Sequence, residues 1–428
     1  MVCAALAGVI RAIQVHTGSA TCAEFGTELD VIRAVVIGGT QRSGGRGSVA
    51  NGAGRTLSRS LEQRHEHPER SDGPSAHCQG RNHHGGAGPR PAALVMTTAS
   101  PPPVILVTGA TGKVGRTFIA RLLGEKHFEQ WRVRALCHQR SLPAHERIES
   151  VFGAIQDRAT VQQALQGVTH VLHLATSKET PDDAMDVSVK GLFWLLEGCR
   201  TSPTFRQFIL IGGDASVGHF HYPHPVPVVE TQAHSAYPGC YALSKVLEET
   251  MLQQYYLQYD LNGCCLRAPW ILEKDDLRFH LSFGADVFGA PRWCDLVGAE
   301  AAAEYERRGA IPVLLDQAGA GLLRNFVHVD DLVSAILAAI DEPRARHQLM
   351  NVCMDEPVDY VRLGEYLSRT RGFPLVPIRD RYHSTWLDNS KARFLLRWRP
   401  QYDLARLVDA AWAYERAADD PRRVWYPG

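Results

Sequence analysis

Val104–Gly115 reads VILVTGATGKVG. Val104, Ile105, Leu106 and Val107 make a short, continuous apolar run, the composition of a strand buried on both faces. Thr108 to Gly112 then turns the chain, and Phe118, Ile119, Leu122 and Leu123 fall at helical spacing beyond it. The glycines therefore sit between a buried strand and the start of a helix. There, unpaired backbone N–H groups and the positive end of the helix dipole attract an anion. Gly109, Gly112 and Gly115 lack the Cβ atoms that would hold a pyrophosphate or the neighbouring strand away, so the expected ligand of this turn is a dinucleotide.

Downstream of this stretch, strand-like and helix-like segments alternate. Val133–Cys137, Val151–Ile155, Val171–Ala175 and Phe208–Ile211 read as strands; Thr160–Leu165 and Val187–Cys199 read as helices. The fold class this implies is α/β, a Rossmann-type doubly wound parallel sheet, and the 428 residues leave length for a smaller appended lobe, which the family resemblance below makes a C-terminal substrate-binding lobe. His219 to Pro227 is rich in proline and histidine and reads as a surface loop with solvated histidines. The next helix opens at Tyr241 and runs to about Tyr259. Tyr241 and Lys245, four residues apart, share a face of it, and an ammonium there is expected to favour the phenolate and make Tyr241 a proton carrier near neutral pH.

Residues 1–95 differ from the rest. They are rich in Gly, Arg, Ser and His, contain no lysine and show little periodicity, so a disordered extension is expected there, with folded protein starting near Met96. The His-containing stretch Ser75 to Gly86 reads as part of that extension, and no metal site is expected. Lys and Arg total 46, as do Asp and Glu, so bulk charge points to neither nucleic acid nor a membrane surface. No apolar run approaches the ~20 residues of a membrane helix. The ten cysteines are scattered without a CxxC, as in a cytoplasmic protein with reduced thiols.

With TGATGKVG at Thr108–Gly115 and YALSK at Tyr241–Lys245, the chain resembles the extended short-chain dehydrogenase/reductases, the NAD(P)-dependent epimerase/dehydratase family. GVTHVLHLA at Gly167–Ala175, PWIL after Leu266-Arg267, NFVHVDDLVSAIL at Asn325–Leu337 and DNSKARFLLRWRP at Asp388–Pro400 agree with it. The resemblance implies a cofactor domain over 103–268, with 322–372 returning to it, and a substrate lobe from 269–321 and 373–428. It implies a small-molecule substrate and a homodimer. Gly109, Thr111, Gly112, Lys113, Val114 and Gly115 would contact the cofactor pyrophosphate; Leu174, Ala175 and Lys178 would line its ribose side, and Ile155 its adenine. Lys245 would bond the nicotinamide ribose as well as tune Tyr241. The catalytic Ser/Thr of the family falls on Gly213, which has no hydroxyl; Ser216, Asp214, Ser188 or a water would have to replace it, and Ser216 is the expected choice.

The second strand ends in Cys137-His138-Gln139-Arg140, without the acid that grips a ribose in NAD sites. His138 and Arg140 would welcome a 2′-phosphate, so NADP(H) is expected, with NAD the alternative. The aromatic residues Trp270, Phe279, Phe283, Phe288 and Trp293 in the lobe tilt the substrate away from a diphosphate sugar. The leading expectation is an oxidoreductase acting on a carbonyl or carbinol. A nucleotide-sugar epimerase or dehydratase and a non-catalytic redox sensor are the alternatives, since the fold alone does not choose between them.

Overall fold

The computed structural model describes residues 101–224, 227–284, 289 and 291–420. The expectations for residues 1–95 and for Phe288 lie outside the described residues. The strands in chain order are β1 (Val104–Thr108), β2 (Arg132–Cys137), β3 (Ile148–Phe152), β4 (His170–His173), β5 (Gln207–Gly213), β6 (Gly263–Ala268), β7 (Trp270–Leu272), β8 (Ile311–Leu315), β9 (Leu323–Arg324), β10 (Phe326–His328) and β11 (Gln348–Asn351). Seven of them form one sheet in the order β11-β6-β5-β4-β1-β2-β3, every pairing parallel. β1 pairs with β2 on one side and β4 on the other, so the chain changes direction of winding at β1. The crevice that this reversal opens at the carboxyl ends of β1 and β4 is where such sheets bind ligands.

Helices cover both faces because the strands are apolar on both. β5 is buried along its whole length, as is β4. Against one face pack α1 (Lys113–Gly124) and α8 (Val329–Ala339), through Phe118, Ile119, Leu122, Leu332 and Ile336. Against the other pack α2 (Arg158–Ala164), α3 (Gly191–Thr201) and α4 (Cys240–Tyr259), through Val161, Leu192, Leu195, Leu196 and Leu252. A separate apolar core holds the lobe that follows β7, with Trp293, Phe326, Tyr360, Leu363 and Leu407 fully or nearly buried. It is built partly from α5 (Asp276–His280), α6 (Trp293–Val297) and α7 (Ala299–Arg307), which precede α8 in sequence.

Three local readings are corrected. The third strand is Ile148–Phe152, not Val151–Ile155: it lies at the sheet edge, only Val151 of it is buried, and Gly153 at φ +154° ends it. An edge strand needs no continuous apolar run, which is why the run misled. The helix expected over Val187–Cys199 begins earlier, as a π-helical stretch Ala184–Lys190 that leads into α3. His219 and Phe220, expected in a solvated loop, are buried.

Candidate functional site

The turn after β1 closes with the Gly112 N–H on the Gly109 carbonyl at 2.9 Å. Gly109 sits at φ +64°, and a Cβ there would come within 3.0 Å of the Leu174–Ala175 backbone. A Cβ on Gly115 would lie 2.5 Å from the Gly109 oxygen. Both glycines are thus required by close approach, and they press the start of α1 against the ends of β1 and β4. A cavity of about 700 Å³ opens above them. It brings together Gly109, Thr111, Gly112, Lys113, Val114, Gly115, Arg140, Leu174, Ala175, Lys178, Asp214, Tyr241 and Lys245. His138, Ile155 and Ser216 are not in its wall: His138 is exposed, Ile155 is buried in the core, and Ser216 faces elsewhere. The glycine cradle, the helix start and Arg140 fit a phosphate-bearing dinucleotide.

Tyr241 and Lys245 project from the first turns of α4 towards the end of β5. A Cβ built on Gly213 would meet the Tyr241 hydroxyl at 3.6 Å and the Lys245 Cγ at 3.6 Å. Gly213 therefore stands opposite the phenol, where a Ser or Thr would have presented its hydroxyl. The Lys178 ammonium lies 4.0 Å from the centre of the Tyr241 ring, and that of Lys245 lies 5.7 Å away. Burial, reinforced by the charge of Lys245, pushes Lys178 down to about 7. The expectation for Tyr241 is corrected in sign. Desolvation first, then the carboxylates of Glu248, Asp214 and Glu179, holds its phenol above the ordinary value. The Lys245 ammonium is engaged instead by Glu248, at 2.7 Å.

Ser216 is corrected as well. Its hydroxyl donates to Glu249 Oε1 at 3.0 Å in the interior behind β5. The same carboxylate takes two bonds from Arg267, at 3.0 and 2.6 Å, and one from His234 at 3.0 Å. Burial raises the Glu249 carboxyl, but the bonds from His234 and Arg267 more than offset it and leave it below its ordinary value. Ser188, the other candidate hydroxyl, is buried and accepts from the Ser177 N–H at 3.1 Å. What stands beside Tyr241 is Asp214, whose Oδ2 accepts from His219 Nδ1 at 2.6 Å. Arg324 donates to His219 Nε2 at 3.0 Å. A guanidinium has only donors, so His219 is neutral with its hydrogen on Nδ1, in keeping with the fall that burial imposes on it. His219 holds this place at φ +49°, a strained conformation for a non-glycine residue.

Trp270 and Tyr237 complete the apolar wall of the cavity. Arg324 is fully buried, with its guanidinium 3.5 Å from the centre of the Trp270 ring and 4.4 Å from that of Phe220. Among the described residues, Trp270 is the lobe aromatic that reaches the cavity; Phe283 and Trp293 belong to the lobe core. Among the described residues no group of three or more His, Cys, Asp or Glu side chains could hold a metal, and no helix is long and apolar enough to cross a membrane.

Residues 105–272 match the NAD dependent epimerase/dehydratase family. The matched segment runs from β1 to the end of β7 and holds both the glycine turn and the Tyr241–Lys245 pair. The chain is 26% identical over 134 residues to the bifunctional dihydroflavonol 4-reductase/flavanone 4-reductase of Malus domestica, a match covering 28% of this chain and 38% of the relative. It is 26% identical over 274 residues to UDP-glucuronate 4-epimerase 4 of Arabidopsis thaliana, covering 59% of this chain and 57% of the relative. The first of these matches spans about two fifths of the relative's length, the second a little over half. Among solved structures, a short-chain dehydrogenase/reductase superfamily protein from Agrobacterium tumefaciens with bound NAD shares the fold, with a TM-score of 0.60 at 22% identity, over 72% of this chain and 95% of the other. The family is one of NAD-dependent epimerases, dehydratases and reductases acting on small molecules.

Sequence reasoning missed His219, Arg324 and Glu248. Arg324 carried one available signal, a lone arginine in an apolar segment two residues before the Phe326–His328 strand; a buried arginine needs a partner.

Proposed function

We propose that this protein is an NADP(H)-dependent oxidoreductase that interconverts a carbonyl and a carbinol on an uncharged, ring-bearing or otherwise apolar small molecule. The observation that carries this reading is the Tyr241 hydroxyl, held beside Lys245 and the end of β5 in the cavity that also contains the glycine turn. When bound, a reduced nicotinamide supplies two electrons and one hydrogen as hydride to the carbonyl carbon. Gly109 to Gly115 cradle the phosphates, and Arg140, with no acid at the end of β2, favours the 2′-phosphate. Tyr241 gives its proton to the carbonyl oxygen as negative charge develops there, and solvent restores it. Lys178, brought to about 7 by burial, has its ammonium 4.0 Å from the centre of the Tyr241 ring and stabilises the charge left on the phenol.

The apolar wall supports the substrate class. Trp270 and Tyr237 offer ring faces, while Arg324 is enclosed between Trp270 and Phe220 and committed to His219, so its charge is spent inside the protein. A carbonyl panel assayed by loss of NADPH absorbance tests the reading. Turnover by the wild type, abolished in Tyr241→Phe with cofactor binding retained, is the expected outcome. Full activity of Tyr241→Phe refutes it. Tightly retained NAD in the purified protein, with no net NADPH consumption, would shift the assignment to an epimerase.

A further inference from the structure

α4 carries a carboxylate that the chemistry above leaves without a task. Glu248 lies just under one turn beyond Lys245, fully buried, and its Oε2 accepts from Lys245 Nζ at 2.7 Å. Its Oε1 is buried with no hydrogen-bond partner among the described residues. The contrast with the adjacent Glu249 is informative. Glu249 is satisfied by Arg267, His234 and Ser216, as a structural buried acid should be. Among the described residues Glu248 has one hydrogen-bond partner, Lys245, with Lys178 a weaker electrostatic neighbour, and burial raises its carboxyl. A carboxylate kept at that cost acts on the group it touches.

Five charged groups from three elements surround the Tyr241 phenol. Lys178 lies over the ring from the segment after β4, and Glu179 from the same segment accepts the Tyr241 backbone N–H at 3.2 Å. Asp214 faces it from the turn after β5, and Lys245 and Glu248 come from α4 itself. Tyr237, in the segment before α4, is the uncharged titratable neighbour. Lys245 is held by a buried acid on its own helix.

Resting on the oxidoreductase reading, we propose that Glu248 is a positioning residue: it fixes the Lys245 ammonium and cancels its charge at Tyr241, so that the phenol stays protonated and the site works as a carbonyl reductase rather than an alcohol dehydrogenase. In that direction a C–H bond forms with hydride from the reduced nicotinamide, and an O–H bond forms with the Tyr241 proton. The reverse needs a phenolate to take the alcohol proton, and Glu248 opposes that phenolate both directly and by occupying Lys245.

The test reads Tyr241 itself. Near-ultraviolet phenolate absorbance is titrated with pH for the full-length protein and for Glu248→Gln, each as the difference from its Tyr241→Phe counterpart. Glu248→Gln keeps the shape and removes the charge. Its phenolate midpoint is expected about one pH unit lower, giving about tenfold more phenolate at a given alkaline pH. The alkaline limb of the alcohol-oxidation profile should move with it. Should the glutamine variant not fold, Glu248→Ala, which removes the charge and adds no new contact, is expected to give the same shift. Unchanged midpoints overturn the role of Glu248, whatever the activity. A fully active Tyr241→Phe is a different failure, since it removes the oxidoreductase reading on which the role rests.

Discussion

Gly213→Ser is the most direct way to ask whether the site lacks a hydroxyl donor. Gly213 ends β5 at φ −144° and ψ 148°, extended backbone open to any residue. The nearest atoms to an added Cβ are the Tyr241 hydroxyl at 3.6 Å and Lys245 Cγ and Cδ at 3.6 and 3.7 Å, ordinary van der Waals contacts. The serine is therefore accepted without strain, and loss of glycine's freedom in the unfolded chain should stabilise the protein by about 0.4–1 kcal/mol. Its oxygen falls within reach of the Tyr241 hydroxyl and of a carbonyl oxygen bound there. A single oxyanion donor is worth about 10²–10³ in kcat where it is well placed, and a serine grafted into a site not built around it should recover on the order of tenfold. The assay is NADPH-dependent reduction of the best carbonyl from the panel, with Gly213→Ala as the control that fills the same space and offers no donor. A serine variant no faster than the alanine variant would refute the claim that a hydroxyl is what this site lacks.

Other expectations follow from the same geometry. Arg140→Ala should weaken NADPH binding by about tenfold or more while sparing NADH, as read from quenching of protein fluorescence. Ser216→Ala should leave turnover unchanged and cost about 1–2 kcal/mol of stability in urea, because Glu249 keeps Arg267 and His234 but loses one buried bond. His173 is fully buried and pushed down to about 3 by desolvation, and then by Lys245. In the unfolded chain it titrates near ~6.5, so between these values the unfolded state binds the extra proton. Stability is thus fully present above ~6.5 and is lost as the pH falls towards 3. At pH 5 this one ring should remove about 2 kcal/mol relative to pH 8, read as a lower urea midpoint. Equal midpoints at the two pH values would contradict its burial as a neutral ring.

The glycine turn and the Tyr241–Lys245 pair were legible because each is local: a short apolar run, a turn and a four-residue helical repeat fix their geometry with little help from the rest of the chain. The position of Gly213 followed from the family resemblance, and a Cβ built there would lie 3.6 Å from the Tyr241 hydroxyl. Ser216 was misread because a 3₁₀ turn over Asp214–Val217 advances about 120° per residue, so Asp214 faces the cavity while Ser216 points to Glu249. No periodicity in the sequence announces a turn of four residues. His219 was misread for a different reason. Its burial depends on Gly218 at φ +86° and on Arg324, 105 residues later, which only the folded chain brings to it. Glu248 looked like any acid on a helix surface; that its face of α4 turns inward is set by the sheet beneath, not by the helix sequence.

The segment after the last helix, Leu404–Ala413, returns to the mouth of the cofactor cavity and is fastened there by charge. Arg416 grips Asp275, Lys274 bonds both oxygens of Asp420 at 2.8 and 2.9 Å, and Lys113 of the glycine turn reaches Asp276. Lys274 and Asp420 are partly open to solvent, so dissolved ions compete with their pairing, whereas Asp275 is buried and shielded from them. Raised ionic strength is therefore expected to loosen this edge of the cavity from the Lys274–Asp420 side first, while buried Asp275 keeps its hold on Arg416.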